Sequence, residues 1–321
     1  MVNLDDIYTP TSSWLKKNEK VALATVISTW GSSPRQVGGQ MAINLHGEII
    51  GSVSGGCVES SVISEAKISI KDRKIKIKDY GISDNMAWEV GLACGGELKI
   101  LIQPLEPRDK IVLQVVKKIN KRIPITLLIN LNDGKRTIVE ADKKQFSQIS
   151  YFDKEKNIFY HSISPKPRLF VVGAVHIAQS LVNLAKICGY EVIVIDPREH
   201  FANKKRFSKC KIINEWPDTA LKKFQVNQSC HLVTLTHDPK IDDPALIEAL
   251  NSDIGYIGSL GSKRTQEKRL ERLSAEGFNK RELTKIHGPI GLDIYSKTPE
   301  EISISILAEL TKYRRKKNEL S

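Results

Sequence analysis

Cys57 stands in a setting that suits thiol chemistry. It follows Ser54, Gly55 and Gly56, and the apolar spacing of the residues after it predicts that a helix starts there. Backbone amides at a helix N-terminus form an anion site and favour the thiolate form of a cysteine. We therefore predict that Ser54, Gly55 and Gly56 contact an anionic cofactor and that Cys57 is a reactive or ligand-binding thiol. The alternative is a small buried residue packed in a tight turn.

A second glycine-rich segment and a fixed cation belong to the same part of the chain. Cys94 precedes Gly95 and Gly96, and Arg35 follows a proline in a stiff loop. Glycines at this density indicate a backbone that approaches a ligand closely, so we predict cofactor contacts at Cys94, Gly95 and Gly96. Arg35 is predicted to contact a phosphate or an acid. The cysteines and histidines lack the spacing of a zinc site, and no metal site is expected.

The turn that begins at Gly173 has the sequence context of a dinucleotide-binding turn. It follows an apolar strand at 169–172 and opens an amphipathic helix, and Asp196 ends the next apolar strand. In such a turn, backbone amides face a pyrophosphate and the acid accepts the ribose hydroxyls. The predicted cofactor contacts are Gly173, Ala174, Val175, His176 and Ile177, with Asp196 and Arg198 near the ribose.

Val175 stands where this fingerprint has its second glycine. A glycine there lets the pyrophosphate approach the backbone, and a valine side chain would crowd it. Three interpretations stay open: a nucleotide bound in a shifted pose, another phosphate-bearing ligand, or a Rossmann-like shell without a ligand. The sequence also leaves open whether Asp196 holds a ribose or Arg198 holds a 2′-phosphate, and therefore whether the nucleotide is NAD or NADP.

Further ligand contacts are predicted in later loops, at the carboxyl ends of strands, where open α/β sheets bind ligands. Gly258 and Ser259 begin a glycine-rich loop that leads to Lys263 and Arg264, two cations that can neutralise a phosphate. Plain turn chemistry is the alternative for this loop. The pair His237 and Asp238 occupies a similar position, either as active groups or as a helix-capping turn.

The elements that position these residues predict an α/β protein. Residues 1–105 are expected to form an α+β domain rich in glycine and cysteine at its loops, and residues 106–166 a connecting module that ends in prolines. From residue 167 to residue 321, strands and helices alternate. This alternation predicts a Rossmann-like, doubly wound parallel sheet.

Composition limits the classes of protein to which the chain can belong. With 321 residues, 40% hydrophobic and 27% charged, it is long enough for two globular domains. No segment has the apolar length of a membrane span or the pattern of a signal peptide, which predicts a cytoplasmic protein. The net charge of +12 is spread without interleaved aromatic residues, so nucleic-acid binding is not expected. The five widely spaced cysteines are expected to be free thiols.

Taken in order, these motifs resemble the XdhC/CoxI family of xanthine dehydrogenase accessory factors. The resemblance rests on residues 31–35, 51–59, 80–81, 93–96, 170–178, 256–264 and 288–293. It implies an XdhC/CoxI-type N-terminal domain and a Rossmann-like XdhC C-terminal domain. The family's N-terminal motif falls on Gly55, Gly56 and Cys57, and its Rossmann motif on 173–178, with Val175 as a departure.

The resemblance implies a protein that helps to mature a molybdenum hydroxylase and is not itself a dehydrogenase. Members of the family are understood to bind the molybdenum cofactor (molybdopterin), to support its sulfuration and to pass it to the apo-enzyme. The implied partners are an apo molybdenum hydroxylase and a cysteine desulfurase, and a homodimer stays open. Arg35 or Lys263 would hold the phosphate of the cofactor, and Cys57 would lie near the metal or the transferred sulfur. The alternatives are an NAD(P)-dependent oxidoreductase and a ligand-free scaffold.

Overall fold

The computed structural model describes residues 6–31, 35–81, 96–140, 149–208 and 210–319. It divides into two compact units, one ending at Pro165 and the other beginning at Lys166. Within the described ranges, no helix combines the length and the apolar character needed to cross a membrane.

The first unit contains an antiparallel sheet of five strands. The strands are β1 (Val21–Trp30), β2 (Gln40–Asn44), β3 (Ile49–Gly51), β4 (Lys76–Tyr80) and β5 (Glu97–Leu105), in the order β3-β2-β1-β5-β4. Helix α2 (Glu59–Asp72) covers one face, where its apolar residues Val62 and Ala66 share a buried core with Ala24 and Ile100. The loop before this helix carries Cys57 and the adjacent glycines.

A second antiparallel sheet completes the first unit. Its strands are β6 (Ile125–Asn130), β7 (Arg136–Glu140), β8 (Tyr151–Asp153) and β9 (Ile158–Ile163), in the order β7-β6-β9-β8. Helices α1 (Tyr8–Lys16) and α3 (Lys110–Asn120) join the same unit. Leu23, Val112 and Phe159 belong to one buried cluster, so residues after 105 contribute to the same core as β1.

The second unit is built on a parallel sheet of six strands. They are β10 (Arg168–Val172), β11 (Glu191–Ile195), β12 (Lys211–Ile213), β13 (Cys230–Thr234), β14 (Tyr256–Ser259) and β15 (Ile286–His287), in the order β12-β11-β10-β13-β14-β15. This is the strand order of the doubly wound Rossmann fold. The predicted fold class is confirmed.

Helices cover both faces of this sheet. They are α4 (His176–Ile187), α5 (Pro217–Lys222), α6 (Pro239–Leu250), α7 (Lys263–Ala275), α8 (Lys280–Leu283) and α9 (Pro299–Glu319). Leu181 and Leu310 belong to the core on one face, and Leu246 and Leu273 to the core on the other. Burial on both faces explains why the central strands read as continuous apolar runs. The strand order reverses between β10 and β13, so the turns after these strands lie where such sheets bind ligands.

Candidate functional site

Gly173 forms the turn between β10 and α4, as predicted. Its φ of +101° is a conformation that favours glycine. A Cβ added at this residue would lie 2.4 Å from Cγ2 of Thr236, in the loop after β13. The structural reason for the glycine is therefore the close approach of the two turns that flank the sheet reversal.

Asp196, at the end of β11, is completely buried and binds groups of the protein itself. Its carboxylate accepts hydrogen bonds from the Ala174 amide at 2.8 Å, from the Arg198 amide at 2.9 Å, and from Nε and Nη2 of Arg198 at 2.9 and 2.7 Å. Burial alone would raise the pKa of Asp196, but these hydrogen bonds outweigh it and lower the pKa. A carboxylate accepts about four hydrogen bonds, so none of its usual positions remains for ribose hydroxyls.

Two arginines hold the outer side of the same turn. Arg198 pairs with Asp196, and its guanidinium lies 4.5 Å from the ring centroid of Phe201. Nη1 of Arg206 donates to the carbonyl oxygens of Ala174 at 2.8 Å and of Phe201 at 2.7 Å. The sequence does not predict a role for Arg206. It lies in an irregular basic segment between β11 and β12, where no pattern distinguishes it from the neighbouring lysines and arginines.

Val175 caps α4 with an extended backbone, at φ −76° and ψ −179°. A valine adopts this conformation without strain, and its partly buried side chain packs against the core that includes Leu181. His176 is exposed at the first position of the helix, while Ile177 is half-buried. The predicted contacts of these residues with a cofactor stay predictions.

Gly258 and Ser259 lie within β14, not in the predicted loop after the strand. A Cβ at Gly258 would lie 2.4 Å from Cδ1 of Ile290, so the glycine makes room for an apolar neighbour. Ser259 is completely buried, and its hydroxyl bonds to that of Thr234 at 2.5 Å. The sequence alone does not separate this strand from its loop, because the strand is short and ends in small residues.

The loops after β13 and β14 bring several predicted and unpredicted residues together. Asp238 is the N-cap of α6 and accepts a hydrogen bond from the Lys240 amide at 3.0 Å, which confirms the capping alternative for this residue. His237 and Arg264 both line a pocket of about 240 Å³, which we call the α7 pocket. Other residues that line the α7 pocket are Asp242, Thr265, Lys268 and Arg269. Lys263 is exposed at the first position of α7.

In the first unit, the amides predicted to bind an anion donate hydrogen bonds to the side chain of Glu59. Its carboxylate accepts hydrogen bonds from the amides of Ser54 at 2.9 Å, Gly55 at 3.0 Å and Gly56 at 2.8 Å. The hydroxyls of Ser52 and Ser54 also donate to it. Burial would raise the pKa of Glu59, but these hydrogen bonds lower it to about 2. The signal in the sequence is an acid in the first turn of a helix that follows a glycine-rich loop.

Cys57 is an exposed free thiol in the loop immediately before α2. Cys188, Cys210 and Cys230 are free as well. The exposure of Cys57 does not match the alternative of a small buried residue. Its sulfur is accessible to a ligand or to another protein.

The remaining predicted contacts of the first unit are less fully described. Gly96 is buried directly before β5, and Arg35 is half-buried. Cys94 and Gly95 lie outside the described residues. Within the part of the chain that the structure describes, no three His, Cys, Asp or Glu residues form a group that could hold a metal ion.

Comparisons with known proteins cover both units. A family model described as the XdhC Rossmann domain matches residues 169–310, and a model of the XdhC and CoxI family matches residues 14–81. A protein of Bacillus subtilis described as a probable subunit of xanthine dehydrogenase is 28% identical, over 98% of this chain and 99% of that protein. The molybdenum cofactor insertion chaperone PaoD of Escherichia coli is 25% identical, over 94% of this chain and 85% of its own length.

A solved structure is similar along nearly the whole chain. The crystal structure of a protein described as a xanthine dehydrogenase from Bacillus halodurans superimposes with a TM-score of 0.80 and 25% sequence identity. The match covers 97% of this chain and 96% of the other. The chain therefore carries an XdhC and CoxI family segment at residues 14–81 and an XdhC Rossmann domain at residues 169–310.

Proposed function

We propose that this protein is an accessory factor that binds the molybdenum cofactor and supports its insertion into a molybdenum hydroxylase. The observation that carries the proposal is the similarity to the insertion chaperone PaoD, which extends over 94% of this chain and therefore over both units. The similarity to the Bacillus subtilis protein described as part of a xanthine dehydrogenase indicates a hydroxylase of that type as the client.

The chemistry of the described residues fits the charges of this cofactor. Its phosphate needs cations, and Arg264, Lys268 and Arg269 meet at the α7 pocket. Its dithiolene-bound metal favours soft ligands, and Cys57 offers an exposed thiol. When bound, the cofactor supplies the molybdenum centre that the hydroxylase uses. In the first unit an anion would have to displace Glu59 from the amides of the loop.

The alternative of an NAD(P)-dependent oxidoreductase has less support from the geometry. Asp196 would have to leave the Ala174 amide and Arg198 to accept ribose hydroxyls. Arg198 is itself neutralised by this acid and is not a separate cation for a 2′-phosphate. Binding without nicotinamide turnover is therefore the expected behaviour.

The proposal extends to sulfuration and to partner proteins. Cys57 is the residue that we expect to contact the cofactor or the sulfur that a cysteine desulfurase delivers. A cytoplasmic location fits these partners, and self-association into a homodimer is a matter for measurement in solution. Each of these points rests on the exposed thiol and on the family resemblance.

The experiment that tests the function uses the full-length protein. It is mixed with molybdenum cofactor released from a donor enzyme, separated from free cofactor by gel filtration, and assayed for molybdenum and for pterin. The loaded protein is then added to an apo molybdenum hydroxylase, and hydroxylase activity is measured. We expect cofactor retention and activation of the hydroxylase, with no oxidation of NADH or NADPH by the protein alone.

Cys57→Ala tests the thiol, with Cys188→Ala as the matched control. Cys57→Ala is expected to lose retained molybdenum, whereas Cys188→Ala retains it, and circular dichroism verifies that both variants fold. Equal retention by the two variants would remove Cys57 from the site. Absence of retention by the wild-type protein, together with nicotinamide turnover, would replace the proposal with the oxidoreductase.

A further inference from the structure

The α7 pocket has a strong excess of positive charge. Arg264, Lys268, Arg269 and Arg272 line it, against one lining carboxylate, that of Asp242. A cluster of this kind is costly unless an anion is present or the charges are exposed to water.

Ion pairs compensate only part of the charge. Arg272 pairs with Asp243, with Nε–Oδ2 at 2.6 Å and Nη2–Oδ1 at 3.0 Å. Arg264, Lys268 and Arg269 form no salt bridge within 4.0 Å to any carboxylate that the structure describes. Three cations therefore line the pocket without a paired acid: Arg264 and Lys268 are exposed to water, whereas Arg269 is buried.

The carboxylate of Asp242 is held by groups other than these cations. It accepts hydrogen bonds from the Thr236 hydroxyl at 2.6 Å and from the His237 amide at 3.1 Å. Asp242 is buried, with 1% of its surface exposed, and burial raises its pKa. Asp242 also interacts electrostatically with Arg269 without forming an ion pair within 4.0 Å, so it offsets part of the charge of this arginine.

Arg269 is an independent indication of a ligand. Only 1% of its surface is exposed, and its guanidinium donates to the Leu260 carbonyl at 2.8 Å and to Gln266 at 2.5 Å. Its Nε is buried and has no hydrogen-bond partner. A buried guanidinium with an unused N–H is rare in a native structure, and a nearby anion would compensate its charge although Nε itself has no exposed surface.

The backbone around the pocket is suited to hold an anion in place. Ser262 caps α7 by accepting a hydrogen bond from the Thr265 amide at 3.1 Å, so the first turn carrying Arg264 and Thr265 is fixed. The positive end of the helix dipole lies at this turn and favours negative charge. The dipole adds to the side-chain charges.

We propose that the α7 pocket binds the phosphate group of a small phosphate monoester. A phosphate has several oxygens that accept hydrogen bonds. The guanidinium groups of arginines can donate to two of them at once, and a lysine ammonium group can donate to another. The volume of about 240 Å³ suits a terminal phosphate with the adjoining part of its carrier and is below the range of whole-ligand pockets, about 300–1,000 Å³. This phosphate site follows from the charges of the pocket and is independent of the cofactor proposed above.

The test is a phosphate titration of the full-length protein, followed by calorimetry and by thermal unfolding. Inorganic phosphate is expected to bind and to raise the unfolding temperature, whereas chloride at equal ionic strength is not. The double variant Arg264→Gln with Lys268→Gln changes two exposed side chains and should weaken phosphate binding by about tenfold or more. Arg281→Gln, an exposed position on α8, is the matched control and should bind as the wild type does.

Arg269 is tested by two substitutions, because its burial also supports the fold. Arg269→Lys keeps a charge but loses the fork geometry, and Arg269→Gln loses both. Binding should weaken in the order wild type, Arg269→Lys, Arg269→Gln, at temperatures where all three are folded. Equal phosphate and chloride effects on the wild type, or equal phosphate affinity in the double variant and Arg281→Gln, would overturn the proposal.

Competition identifies the source of the monoester. Displacement of phosphate by AMP would indicate a nucleotide, and displacement by released molybdenum cofactor would indicate the pterin phosphate. If neither displaces bound phosphate, the monoester proposal is wrong. If phosphate binds but the protein retains no cofactor in the gel-filtration experiment, the phosphate site is confirmed and the proposed cofactor-binding function is wrong.

Discussion

The carboxylate of Asp196 accepts a hydrogen bond of 2.8 Å from the backbone amide of Ala174, so the end of β11 is fastened to the turn after β10. In a dinucleotide site an acid at this position faces the ribose. Here the same acid also binds Arg198, and Arg206 holds the carbonyl of Ala174. The turn is stabilised by side chains of the protein at the positions where a nucleotide would make its contacts.

Asp196→Asn is expected to destabilise the second unit. An asparagine at this buried position loses the charge and presents an amide nitrogen to groups that are themselves donors. We expect the free energy of unfolding to fall by about 2–4 kcal/mol, measured by urea denaturation. Asp253→Asn, an exposed position, is the control and should change it by less than about 0.5 kcal/mol. Unchanged stability of Asp196→Asn would indicate that its contacts are weak enough for a ligand to replace.

Gly173→Ala tests the close approach of the two turns. The new methyl group would contact Thr236 and would require an unfavourable φ, so we expect a loss of about 2–4 kcal/mol in the free energy of unfolding. Gly277→Ala is the control, because Gly277 has φ +98° but no atom within 4 Å of an added Cβ. It should lose only about 1 kcal/mol.

Thr236→Ser distinguishes steric contact from backbone strain at Gly173. The serine removes the Cγ2 atom that the alanine would meet and keeps the hydroxyl that bonds to Asp242. In the Gly173→Ala background, Thr236→Ser should recover part of the lost stability in the same urea titration. No recovery would assign the whole loss to the backbone conformation.

Much of the fold is predictable from the sequence, because apolar runs and glycine turns are local signals. The pattern predicts strands at 169–172 and 191–195, and the structure has β10 and β11 there. The apolar spacing also predicts a helix at 111–119, where the structure has α3. For the helix after β13 the pattern predicts 244–250, but the structure has α6 over Pro239–Leu250, because the Asp238 cap starts the helix five residues earlier.

The candidate site is less predictable, because it depends on partners distant in the sequence. The turn at Gly173 and the loop at Cys57 are visible in the composition. The hydrogen bonds that saturate Asp196 and the burial of Arg269 depend on how loops meet, and no local pattern reveals them. Arginine is seldom fully buried, so helix periodicity alone assigns Arg269 to the surface.

Glu59→Gln tests how much the Glu59 carboxylate stabilises the protein by binding the amides of the predicted anion site. The variant loses the charge that accepts hydrogen bonds from the amides of Ser54, Gly55 and Gly56. We expect the free energy of unfolding to fall by about 1–3 kcal/mol at neutral pH, measured by urea denaturation. Glu155→Gln, at an exposed position, is the control and should be neutral. Equal stability of the two variants would show that the carboxylate contributes little.

The pH dependence of the same interaction has a definite sign. Hydrogen bonds lower the pKa of Glu59 from 4.5 to about 2, so its contribution to stability is present above about pH 4.5. It is lost as the pH falls from about 4.5 through about 2, because the unfolded chain binds the proton first. The difference in stability between wild type and Glu59→Gln should therefore shrink over this range. A difference that grows toward acid pH would reverse the assignment.

His161, in β9, predicts a second and higher window of acid sensitivity in the first unit. Its side chain is buried, Nδ1 lies 3.1 Å from the Ser150 hydroxyl, and Nε2 has no hydrogen-bond partner. Burial lowers the pKa of His161 from 6.5 to about 3, so the folded protein keeps the ring neutral. Between these values the unfolded chain binds a proton that the folded chain does not, and stability falls as the pH falls.

The expected slope for His161 is at most about 1.4 kcal/mol per pH unit between about pH 6.5 and pH 3. His161→Gln cannot titrate, so its free energy of unfolding should vary less with pH than that of the wild type, even if the variant is less stable throughout. His46→Gln, at an exposed histidine, is the matched control. Urea denaturation at several values from about pH 7 to about pH 5 measures all three slopes. Parallel slopes for wild type and His161→Gln would mean that the buried ring accepts a proton in the folded state.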